Sequence, residues 1–176
     1  MGPLLAQPLP AAALAAALAG GASLRLDAGW ALPAFWFMAG ITVPLLASDL
    51  RHRRLPNRLT LPAYPVLLVL LVPVAVGHHD SDSLTRALLA AMCLVASYGV
   101  LHALNRAGFG AGDVKLAGVT GLILGWLSWD AVLTGTAITL GMGFVGGLVT
   151  LVRRGRRAPF AFGPAILVGA WAAMLA

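Results

Sequence analysis

Glutamate is absent from this chain, and its six acidic residues are all aspartates. Charged residues make up only 10% of 176 positions, against 60% hydrophobic, and the mean hydropathy is +0.89. Such scarcity of charge excludes a water-soluble domain of this size, whose surface would have to be largely apolar. A single cysteine, Cys93, excludes a disulfide framework and a cysteine-based metal site. Inside an apolar run, it reads as a small buried hydrophobe. The net charge of +6 does not point to nucleic acid, because the basic residues sit in short clusters between apolar runs and not on one soluble face.

What is present is a succession of apolar runs. They lie near residues 4–24, 30–48, 59–77, 84–104, 114–129, 131–152 and 158–176, and a spanning helix needs roughly 20 such residues. The chain therefore reads as one all-α domain over residues 1–176, a polytopic transmembrane helical bundle of six to seven spans. The first run contains Pro8 and Pro10 and lacks the basic start of a secretory signal, so it reads as a loose first span and not as a cleaved leader. Gly141, Gly143, Gly146 and Gly147 suggest close packing of the sixth span.

Orientation follows from Lys and Arg, which accumulate in cytoplasmic loops. Arg51, Arg53, Arg54, Arg58, Arg106, Lys115, Arg153, Arg154, Arg156 and Arg157 fall on one side of the alternating spans, and only Arg25 and Arg86 on the other. This predicts a multi-pass membrane protein with a cytoplasmic N-terminus. The Arg153–Arg157 cluster fits contact with anionic lipid.

Two aspartates lie on the basic side, both at the edge of an apolar run: Asp49 after Ala31–Ser48, and Asp113 before Val114–Trp126. An ionisable group at the hydrocarbon boundary is costly unless solvated, paired or used. For Asp113 the structural alternative is capping of a helix start after Gly110-Ala-Gly112. For Asp49 it is an i,i+4 pair with Arg53, while a position at a helix C-terminus sets its carboxylate against the negative end of the dipole. Brought together, two carboxyls share one proton, so that one activates water and the other polarises a peptide carbonyl. That chemistry needs no cofactor and no metal. His78, His79, Asp80 and Asp82 form a short polar loop whose spacing matches no closed metal site. His102 and Arg106, four apart, read as a helix-end interaction.

Three segments resemble the type IV prepilin peptidases. The first is Asp49-Leu-Arg-His-Arg-Arg-Leu-Pro-Asn-Arg-Leu-Thr-Leu-Pro62, similar to the family's Asp followed seven residues later by Pro, then Leu-Thr-Leu-Pro. The second, Gly108-Phe-Gly-Ala-Gly-Asp113-Val-Lys115-Leu, is similar to the family's Gly-x-Gly-Asp with its trailing Val-Lys. Phe162-Gly163-Pro164 is the weakest of the three, with Ala161 where the family often has Pro. In order and on one membrane side, they extend the resemblance over residues 31–176.

The resemblance implies an aspartyl endopeptidase that cleaves the basic leader from type IV pilin-like precursors at the cytoplasmic side, with Asp49 and Asp113 catalytic. It places Lys115 near substrate or near the pair's proton, beside the alternative of an interface lysine that snorkels. Gly110 and Gly112 give a flexible approach to Asp113, while Pro56, Asn57 and Pro62 shape the loop and the next helix start. The chain lacks the paired Cys-x-x-Cys motifs of larger members, so neither zinc nor N-methylation is expected, and it is similar to the short forms of Tad/Flp-type pilus systems. The resemblance implies a bacterial inner membrane as the location, and the expected partners are a prepilin-like precursor and the bilayer, not nucleic acid. The rival readings are a preflagellin- or presenilin-like protease with the same Gly-x-Gly-Asp, a small transporter, and a non-enzymatic structural subunit.

Overall fold

The computed structural model describes residues 8–26, 29–52, 55–104, 109–155 and 162–176. Backbone in hydrocarbon has no water to bond, and a helix satisfies its N–H and C=O groups within one segment. Each apolar run accordingly contains a helix: α1 (Pro8–Arg25), α2 (Leu32–His52, entered through a 3-10 turn at Gly29–Ala31), α3 (Asn57–Gly77), α4 (Ser81–Leu104), α5 (Ala111–Leu127), α6 (Trp129–Arg154) and α7 (Gly163–Leu175). Among the described residues there is no strand, so the all-α bundle expected from the sequence is the architecture observed.

Four helices are long and apolar enough to cross a membrane: α2 with its entering turn, α3, α4 and α6. At 17 residues α5 reaches only about 25 Å, short of the ~30 Å hydrocarbon core. It is nonetheless the centre of the bundle. Every residue from Leu116 to Trp126 is buried, and α5 packs against α3, α4, α6 and α7. Its closest neighbour is α4, because Gly121 faces Ala91, where a Cβ would come within 2.7 Å of backbone. Small residues facing one another let two helices approach closely in lipid, where dispersion and not the hydrophobic effect drives association. Gly141, Gly143, Gly146 and Gly147 suggest the same device on α6. Gly141 and Gly147 of α6 in fact border open space, and Gly143 accommodates the ring of Phe162.

The outer surface is apolar, with Val69, Val76, Met92, Val100, Leu133 and Phe144 exposed. Cys93 belongs to that surface and not to the interior expected for it. Alternation of the helices gathers the ends of α2, α4 and α6 with the starts of α3, α5 and α7. That face carries Arg51, His52, Arg58, Lys115 and Arg153, while Arg25 and Arg86 lie at the opposite end. Arg53, Arg54, Arg106, Arg156 and Arg157 lie outside the described residues.

Candidate active site

Asp113 is placed by the start of α5. Gly110 takes an extended conformation before the first helical residue, and Asp113 is the third residue of the helix. The Asp113 N–H donates to the Gly110 carbonyl at 3.0 Å, and the Gly110 N–H donates back to Asp113 Oδ2 at 3.1 Å. The capping role weighed from the sequence is thus real, with the carboxylate at the positive end of the helix. It does not exhaust the residue, since a buried carboxylate has more than one acceptor position. Gly112 lets Leu55 pack beside this turn, for a Cβ there would lie 2.9 Å from Leu55 Cβ. Asp113 is only 8% exposed.

Asp49 lies within α2, which continues past it to His52. The carboxyl faces the first residue of α7, and the Gly163 backbone N–H hydrogen-bonds to it. Asp49 thus lies near the negative end of α2 as its sequence position predicts, and the positive start of α7 opposes that end. The approach is so close that a Cβ at Gly163 would lie 2.6 Å from Asp49 Oδ2. That oxygen is buried and has no hydrogen-bond partner among the described residues, a costly condition for a polar atom and one that marks unspent acceptor capacity. Arg53, the i,i+4 partner considered for Asp49, lies outside the described residues.

The two carboxyls come within electrostatic reach of each other, although each belongs to a different helix. His102 is also within electrostatic reach of Asp113, and its Nδ1 donates to the Phe109 carbonyl at 2.6 Å. Lys115 does not turn to either aspartate. Its Nζ donates to Asn57 Oδ1 at 2.8 Å, and its carbonyl accepts the Tyr64 hydroxyl at 2.7 Å. Pro56 is the residue before α3 and its carbonyl accepts from Leu59 and Thr60, and Asn57 is the first residue of that helix. Pro62 lies within α3.

Three contributors escaped the sequence reading. Gly163, in the motif treated as weakest, touches Asp49 most directly, and its place beside Phe162 and Pro164 was the available signal. Tyr64 follows the Leu-Thr-Leu-Pro segment by two positions but carried no motif of its own. Gly118 makes room for the Tyr64 hydroxyl. Among the described residues no three metal-ligating side chains converge, and Asp80 of the polar loop instead accepts the Ser83 N–H at the start of α4.

Residues 36–170 match the model of the type IV leader peptidase family. The chain is 30% identical over 155 residues to the prepilin leader peptidase/N-methyltransferase of Aeromonas salmonicida (strain A449), a match covering 87% of this chain and 52% of that protein. It is 30% identical over 167 residues to the protein of the same name from Aeromonas hydrophila, covering 92% and 56% respectively. The chain thus spans about half the length of the curated relatives it matches. No solved structure matches it. With the match running from within α2 into α7, and so across both aspartates and the glycines that hold them, this chain belongs to the type IV leader peptidase family.

Proposed function

We propose that the chain is an aspartyl endopeptidase that removes the leader from type IV pilin-like precursors at the cytoplasmic face of the membrane, with Asp49 and Asp113 as its catalytic pair. One observation carries the reading. Two buried carboxyls from separate helices come within electrostatic reach of each other, and each is bound by a backbone N–H at a helix start.

Such a pair holds one proton between two carboxyls at neutral pH, because both cannot ionise side by side at low cost. The ionised carboxyl takes a proton from water as the water oxygen bonds to the scissile carbonyl carbon. The protonated one donates to the carbonyl oxygen. Collapse of the tetrahedral intermediate breaks the C–N bond: one of its hydroxyls gives its proton to the ionised carboxyl as the carbonyl re-forms, and the leaving nitrogen takes the proton of the other carboxyl, which restores a singly protonated pair. Water is the only other reactant. The unpartnered Asp49 Oδ2 is the acceptor with capacity to bind it.

The cytoplasmic assignment is supported by the basic residues at the Asp49 end of the bundle, since Lys and Arg accumulate in cytoplasmic loops. A basic leader would meet Lys115 and Arg58 near the site, and their repulsion argues for docking away from them. The proposal is confined to the peptidase step.

Cleavage of a co-expressed prepilin-like precursor by wild type, Asp49→Asn and Asp113→Asn tests it, with membrane insertion of each protein measured in parallel. Loss of processing in both inserted variants supports the pair. Processing retained by either removes that aspartate from the chemistry.

A further inference from the structure

Each candidate catalytic aspartate is held by a glycine, and each of those glycines follows a phenylalanine. Phe109-Gly110 holds Asp113 at the start of α5, and Phe162-Gly163 holds Asp49 at the start of α7. The two rings meet, with centroids 4.8 Å apart and planes inclined at 55°. An unbroken run of contacts therefore joins one carboxyl to the other: Asp49 to Gly163, Phe162 to Phe109, Gly110 to Asp113.

Both phenylalanines are seated. Phe162 is 6% exposed and packs on Tyr98 of α4 at a centroid distance of 6.1 Å. The ring also lies against Gly143 of α6, where any side chain would overlap it. Phe109 is tied through its carbonyl to His102 Nδ1 at the end of α4. Aromatic pairs at this separation attract beyond the area they bury and favour an inclined geometry, so the contact restrains orientation as well as distance.

We propose that Phe109 and Phe162 are positioning residues that lock the starts of α5 and α7 together and thereby set the spacing of the Asp113 and Asp49 carboxyls. The proposal rests on the paired-aspartate reading. Neither ring supplies a group that could exchange a proton, so neither is a catalytic residue. Their effect is on placement, and a pair that must share a proton and hold a water tolerates little displacement: a shift of about 1 Å can lower a rate by roughly 10²-fold.

The test is turnover of a purified precursor by enzyme in lipid, with each rate normalised to the folded fraction from thermal melting. For Phe162→Ala, kcat should fall by about 10²-fold while KM changes by less than about threefold, because substrate binding is left in place. Gly143→Ala should also lower kcat by pushing the ring. Adding Gly143→Ala to Phe162→Ala should cost little further kcat, since the ring that the new methyl group would push is gone. A role confined to stability would lower the folded fraction and leave kcat of folded enzyme unchanged. If Phe162→Ala does not fold, Phe162→Leu and Phe109→Leu carry the measurement. Wild-type kcat in these variants, or a Gly143→Ala deficit that adds in full to that of Phe162→Ala, overturns the proposal and leaves the peptidase reading intact. A wild-type enzyme that cleaves no precursor overturns both.

Discussion

Lys115 is gripped at both ends by α3, its Nζ donating to Asn57 Oδ1 at 2.8 Å and its carbonyl accepting the Tyr64 hydroxyl at 2.7 Å. From the sequence, this lysine could steer substrate, bias the proton of the pair, or snorkel to the interface. The structure adds a bridge between two helix starts, two positions from Asp113. Through it, the Leu-Pro-Asn segment and the Gly-x-Gly-Asp turn become one unit.

If the bridge is what Lys115 contributes, the effects of its two members are not independent. Lys115→Ala and Asn57→Ala should each lower precursor cleavage by about threefold to tenfold, and the double variant should be no worse than the poorer single one. A double-mutant cycle on initial rates measures this. Additive losses would assign Lys115 a contact of its own with substrate or with the pair.

The Tyr64 hydroxyl reaches α5 only because Gly118 has no side chain. Tyr64→Phe removes one hydrogen bond inside the bundle, worth about 0.6 kcal/mol by the average for membrane proteins. Gly118→Ala does more damage, since its Cβ would meet both the Tyr64 hydroxyl and, at 2.5 Å, Val95 Cγ2. Overpacking of this kind costs roughly 1–3 kcal/mol. Melting in detergent should therefore rank wild type above Tyr64→Phe and Tyr64→Phe above Gly118→Ala. The reverse order for the two variants would contradict the close approach of α3 and α5.

The helices were legible because hydrocarbon demands long apolar runs, and Asp49 and Asp113 because a carboxyl at the edge of such a run has a cost that some role must offset. Which side of each helix faces inward was not legible. In a soluble protein polarity separates core from surface, but here both are apolar, so Cys93 reads as buried when it lies outside. The glycines mislead for the same reason. Gly121 faces Ala91, while Gly141 and Gly147 face open space, and composition does not distinguish them. The contact of Gly163 with Asp49 joins the seventh helix to the second, a pairing that no local pattern encodes.

Gly163 sets the environment of Asp49 by two means, the hydrogen bond from its N–H and the space its missing side chain leaves. An alanine here keeps the N–H and fills the space, with its Cβ 2.6 Å from the present position of Oδ2. The carboxyl must then move, and a displacement of about 1 Å is expected to cost roughly 10²-fold in kcat. Gly163→Ala with wild-type turnover would show that Asp49 works in some position other than the one α7 imposes. Single-turnover cleavage by the membrane-inserted variant decides between these outcomes.

At the far end of the bundle, Arg86 holds α4 to the C-terminus of α5. Its Nε donates to the Gly125 carbonyl at 2.7 Å, and one terminal nitrogen donates to Trp126 and Leu127 carbonyls at 2.8 and 3.2 Å and to Ser83 Oγ at 3.0 Å. Those carbonyls have no partner within a helix that ends there, and a cation suits the negative end of its dipole. Arg86→Ala should lower stability by about 2 kcal/mol, and Arg86→Lys should recover only part of it because an ammonium cannot reproduce the fork. Cleavage per folded molecule should be unchanged, since the site lies at the other face. The neighbouring Asp80 adds a pH signature: the Ser83 hydroxyl and N–H, with Arg86 close by, hold its carboxyl below the ordinary 3.8. A depressed carboxyl contributes stability above its unfolded pKa and loses that contribution as pH falls through the folded one. Wild type should therefore lose melting temperature below about pH 4 more steeply than Asp80→Asn, which caps the same helix without titrating. Parallel acid limbs for the two proteins would remove Asp80 from the account of α4.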